Sequence, residues 1–86
     1  MSKTQDKRLK ERIAQADFIW ERAQVKAASA QSVLDYMVEQ FNKFKEELTP
    51  EQVIATEEQI AIRQKEIEDF IMEEKASYEK RLGVIS

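Results

Sequence analysis

The sequence contains no cysteine and no histidine, one glycine (Gly83) and one proline (Pro50). Each shortage removes a class of chemistry. Without thiols there is no disulfide framework and no thiolate nucleophile. Without imidazole there is no zinc finger, no histidine haem ligand and no histidine base. A single glycine cannot build a glycine-rich phosphate loop. No apolar run is long enough for a membrane span or a signal-peptide core, so the expected location is the cytoplasm. Low cysteine usage agrees with that location.

What remains is a chain of 86 residues with 36% charged and 42% hydrophobic side chains and a net charge of -3. This is the profile of long solvated helices. The length allows one domain, residues 1–86.

The strongest punctuation is Leu48-Thr49-Pro50-Glu51-Gln52-Val53. Thr49 suits an N-cap, and Pro50 falls at the first helical position, where its missing N–H costs nothing. Gln52 falls where it can reach back to the Thr49 backbone and complete a capping box. Leu48 and Val53 occupy the two positions of a hydrophobic staple. Pro50 also biases Thr49 away from helix, so a first helix ends near residue 48. A second helix is predicted from 50 to 82, with Gly83 as a left-handed C′ residue and Val84 touching Tyr78. Lys80 and Arg81 lie in its last turn, where the dipole favours cations.

The first helix is predicted over 4–48. Its apolar positions are Leu9, Ile13, Ala16, Trp20, Ala23, Ala27, Ala30, Leu34, Met37, Phe41, Phe44 and Leu48, spaced four and three in alternation. This is a heptad seam, which implies left-handed supercoiling against a partner helix. The second helix carries Val53, Ile60 and Ile67 seven apart, with a weaker stripe around them. The fold class is therefore all-α: an antiparallel, coiled-coil-like hairpin of two long helices. The alternative is a three-helix bundle with a break near 29–32, where Ser32-Val33-Leu34-Asp35 resembles a second cap.

Residues equidistant from Thr49 should meet. Trp20 falls near Tyr78, Ala27 near Ile71, Ala30 near Ile67 and Phe70, Met37 near Ile60, and Phe44 near Ile54, so small residues face large ones. The basic start of the first helix is expected beside the acidic stretch 57–74 of the second, a pairing that selects orientation more than it stabilises.

A two-helix hairpin has one seam. Phe18, Ile19, Val25, Val33, Tyr36, Val38, Ile62 and Met72 lie off it. Each large side chain left in water forgoes roughly 1.5–3 kcal/mol of burial. The chain is therefore expected to form a homo-oligomer, most simply a dimer that makes a four-helix bundle. Phe18, Val25, Tyr36 and Ile62 are the expected interaction surface.

Other constellations favour the plain reading. Glu57 and Glu58, Glu73 and Glu74, and Glu66 with Asp69 form acidic groups. A carboxylate-bridged metal site in a bundle needs Glu-x-x-His, and no histidine exists. Ser29 and Ser32 have no base partner. No catalytic, cofactor-binding or metal-binding residue is assigned, and no cofactor is expected. Lys3, Lys7, Arg8, Lys10 and Arg12 are the candidate phosphate contacts, set against a negative total charge and no interleaved aromatics. The expected function is that of a non-enzymatic structural, assembly or adaptor protein working through self-association. One alternative is an inhibitor or chaperone that offers a helix face to a protein partner. The other is a nucleic-acid packaging subunit using the basic arm.

Overall fold

The computed structural model describes the backbone from Lys3 to Ile85 and the side chains from Asp6 to Gly83. Helix α1 spans Lys3–Phe44, a short 3-10 turn spans Lys45–Glu47, and helix α2 spans Pro50–Ile85. The two long helices fold back on each other as an antiparallel hairpin measuring 69 × 17 × 9 Å. No strand interrupts the described residues, and α1 passes through 29–32 without a break. The three-helix alternative is thereby excluded. With no Gly or Pro near Ser29-Ser32, nothing stops the helix there.

The capping box at the turn forms in both directions. The Thr49 N–H donates to Gln52 Oε1 at 3.0 Å, and the Gln52 N–H donates to Thr49 Oγ1 at 3.2 Å. The Thr49 carbonyl accepts from the Val53 N–H at 3.0 Å, which starts α2. The end of α1 differs from the expected boundary. Regular α-helix stops at Phe44, four residues short of 48, and the last turn tightens. The Leu48 N–H donates to the Lys45 carbonyl at 3.1 Å, and Leu48 is already extended. A 3-10 turn satisfies orphan carbonyls while the chain reverses, a frequent helix ending.

The heptad seam holds at Leu34 and Phe41 in the second half of α1, and at Leu48 just beyond it, but not at every position. Ala16, Trp20, Ala23 and Ala27 face inward as expected, and then the phase slips. Ala30 is exposed and Gln31 takes the inner place. Likewise Met37 is exposed while Val38 is half-buried. Two successive steps of four, Ala23-Ala27-Gln31, locally unwind the supercoil as a stutter does. Helix α2 answers with Thr56-Ile60-Gln64, again two steps of four. The two glutamines meet where the slips coincide. Gln31 Nε2 donates to Gln64 Oε1 at 2.9 Å, and Gln64 Nε2 donates to Gln31 Oε1 at 2.9 Å.

Gly83 is not a left-handed terminus. It has no positive φ, and α2 continues through it to Ile85. Glycine permits the left-handed conformation without requiring it, and in a helix it costs only about 1 kcal/mol relative to Ala. The Val84 side chain lies outside the described residues.

Trp20 and Tyr78 stack with ring centroids 5.6 Å apart, as their equal distance from the turn predicts. This pair and the glutamine pair fix the register. Extended at ~1.5 Å per residue, it sets stretch 57–74 beside roughly 22–40 of α1. The basic start of α1 therefore does not lie beside the acidic stretch, contrary to the expectation. Its first turns run past the end of α2, while Arg12 lies beside Lys80 and Arg81. That also explains why Leu9 is exposed although it sits on the seam. Among the described residues the one ion pair is Lys45 Nζ to Glu57 Oε1 at 3.4 Å, beside the turn, and both side chains are exposed.

Candidate interaction face

The interior is small. Among the described residues the buried apolar side chains are Ala16, Ala23 and Leu34, at 2%, 6% and 3% exposure. Two helices have one shared seam, and alanine at its centre brings the backbones close without filling much volume. Large apolar side chains are pushed outward as a result. Phe18 and Tyr36 are 57% and 63% exposed, and Val25, Val33, Ile54, Ile62 and Met72 are similarly open.

The seam has two unlike flanks. One is bridged by polar groups. Besides the Gln31–Gln64 pair, the Tyr78 hydroxyl donates to Asp17 Oδ1 at 2.6 Å. That bond holds the Tyr78 pKa above its ordinary value of 10.0, with lesser help from desolvation and from the Asp17 and Glu21 charges. Gln31 Nε2 also reaches Asp35 at 3.0 Å, and Gln64 Nε2 reaches Glu68 at 3.5 Å.

The other flank is grooved and apolar. At 100° per residue, Ile19, Ala23, Lys26, Ala30, Val33 and Met37 form one line along α1. A groove of about 590 Å³ lies where Phe18, Ile19, Ala23 and Val25 approach Phe70 and Glu74. Further toward the turn, Ala30, Val33 and Met37 line a second groove with Arg63 and Ile67. Toward the open end, Ile19 and Ala16 line a third with Arg12, Ser77, Lys80 and Arg81. Cations sit at the edges of this face. Lys26 Nζ lies 5.2 Å from the Phe70 ring centroid, and the Arg22 guanidinium lies 5.7 Å from that of Phe18. Such contacts cover ring faces with the stems of charged side chains.

The structure brings Phe18 and Val25 together in one groove, and both are exposed. Tyr36 lies eighteen residues, or five turns, beyond Phe18, so it continues the same line on the outside of α1. Ile62 is exposed on α2, away from these grooves. The face also depends on Ile19, Val33, Met37 and Phe70, which sequence reasoning did not place in it. The signal was present: Ile19 and Val33 are two heptads apart, with Lys26 between them masking the period.

Of the candidate phosphate contacts, Arg12 converges with Lys80 and Arg81 from α2 on the open-end groove. Lys7, Arg8 and Lys10 are exposed on α1. The side chain of Lys3 lies outside the described residues. No group of three or more carboxylates among the described residues is arranged to hold a metal ion. No helix among them is long and apolar enough to cross a membrane. Compared with protein-family models, curated proteins and solved structures, the chain matches none.

Proposed function

We propose that this chain is a non-enzymatic helical protein that works by protein–protein contact, and that its first partner is itself. The observation that carries this reading is the amount of surface a lone hairpin leaves in water. A compact monomer of 10.1 kDa would expose about 5,300 Å². This chain exposes 7214 Å², so about 1,900 Å² more than a globular chain of its mass. A rod exposes more than a compact chain of its mass, and on this one Phe18, Val25, Val33, Tyr36 and Met72 are all more than half exposed. At about 25 cal/mol per Å², apolar surface of this extent is a strong drive to associate. The composition supports a contact role, since histidine and cysteine are absent and the acids are solvated.

Multi-angle light scattering on wild type and on Phe18→Glu tests the reading. Wild type should elute at a multiple of 10.1 kDa, and the variant should lose mass while keeping its helical circular dichroism. A wild type that stays monomeric at tens of micromolar refutes self-association and leaves the face to a different protein.

One observation favours a second reading. Arg12, Lys80 and Arg81 converge on one groove from two helices, which would suit a phosphate. Binding to duplex DNA at low salt, lost in Arg12→Gln with Arg81→Gln, would support a nucleic-acid role. The net charge of -3 weighs against it.

A further inference from the structure

The charge is distributed unevenly along the rod. The open end, residues 3–15 with 75–85, holds eight basic and three acidic side chains, a net of +5. The turn end, residues 36–60, holds two basic and six acidic side chains, a net of -4. The middle, residues 16–35 with 61–74, holds four basic and eight acidic side chains, again -4. A total of -3 therefore conceals a long electric dipole.

We propose that a second copy of this chain docks antiparallel along the grooved flank, covering Ile19, Val33, Met37 and Phe70, so that the basic open end of each copy lies against the acidic turn end of the other. This rests on the self-association reading and adds the face and the direction. Two rods related by a twofold axis have two choices. An axis along the rod stacks +5 on +5, and like charges in an interface select against that arrangement. An axis across the rod sets +5 against -4 at both ends, so a single contact pattern is satisfied twice. The groove lined by Arg12, Lys80 and Arg81 then receives the carboxylates around Glu46 and Glu47 of the second copy. The area suffices. A face of 69 × 17 Å projects roughly 1,200 Å², above the ~800 Å² per partner of a standard interface. The choice of flank follows from polarity. The opposite flank already spends its polar groups on the Asp17–Tyr78 and Gln31–Gln64 bridges. The grooved flank has alanine floors at Ala23 and Ala30, which let a third helix approach closely.

The chain has no native cysteine, so single-cysteine variants label cleanly. Nitroxides at Asn42→Cys and, separately, at Lys10→Cys would be measured by pulsed dipolar spectroscopy. Both positions are exposed. Each same-site sample should give a long separation of about 50 Å, the 69 Å rod length less about 10 Å at each end. Mixing the two variants should add a short separation absent from either alone. A short same-site separation at Asn42→Cys overturns the antiparallel direction while leaving self-association intact. No intermolecular coupling together with a monomeric mass overturns both. To test the face, Val33→Glu should weaken association at least tenfold and Met72→Glu less than twofold. The reverse ranking overturns the choice of flank.

Discussion

Replacing the Gln31–Gln64 pair at the middle of the seam probes the register of the whole hairpin. Each amide gives and takes one bond of 2.9 Å across the helix interface, and both side chains are half-buried. Gln31→Leu alone removes both cross-helix bonds of Gln64 and leaves its amide with only the 3.5 Å contact to Glu68. A fully buried amide left unpaired costs about 1–3 kcal/mol. Water reaches this site, so about 1 kcal/mol is expected for either single leucine variant, or roughly 4–8 °C in Tm for a chain of this size. Gln31→Leu with Gln64→Leu leaves nothing unpaired and adds apolar contact, so the double variant should equal or exceed wild type. The coupling energy is then about 2 kcal/mol or more in favour of the matched pair. Urea unfolding followed by far-ultraviolet circular dichroism, at one fixed protein concentration, measures all four corners of the cycle. Additive losses with no coupling would mean that the two glutamines do not meet, and the derived register would fall with them.

Three further outcomes follow from individual contacts. Thr49→Ala removes one half of the capping box and should cost about 1 kcal/mol, read as a lower urea midpoint; Leu48→Ala should cost less if capping, rather than the staple, dominates. Leu34→Ala, at the most enclosed large side chain, should cost at least ~2 kcal/mol in the same assay; a loss within experimental error would show that the seam is elsewhere. Tyr78 titration gives a pH signature. Its folded pKa is raised because the neutral hydroxyl donates to Asp17. The stability it supplies is therefore complete below the unfolded value near 10 and disappears as pH climbs through the higher folded value. Wild type should lose more stability than Tyr78→Phe across that alkaline window, and equal losses would refute the bond.

The turn was legible in the sequence because a capping box and a proline at the first helical position act between residues three apart. Local signals of that kind need no knowledge of the partner helix. The hairpin followed from the turn, and so did the Trp20–Tyr78 stack. The phase slip at Gln31 was not legible. Apolar residues occupy Ala30 and Met37, so the heptad count runs on without a miss. The polar Gln31 turns inward because Gln64 stands opposite to satisfy it, and single-helix periodicity contains no such information. Gly83 misled because its freedom of φ marks what the chain can do, not what it does. The paired acidic and basic stretches misled because charge totals were compared without applying the register that the turn already implied. Phe18 and Val25 were found as exposed residues off the seam. Ile19 and Val33 were seen to be off the seam as well, but their membership of a groove depends on Phe70 and Ile67 arriving from α2.

Small-angle scattering over a concentration series decides whether the hairpin associates, because it reports mass and shape together. Self-association predicts a particle of at least twice 10.1 kDa at micromolar concentration, with a cross-section thicker than one hairpin. A particle of 10.1 kDa with the 19.9 Å radius of gyration of the single rod, unchanged up to the highest concentration, would contradict it.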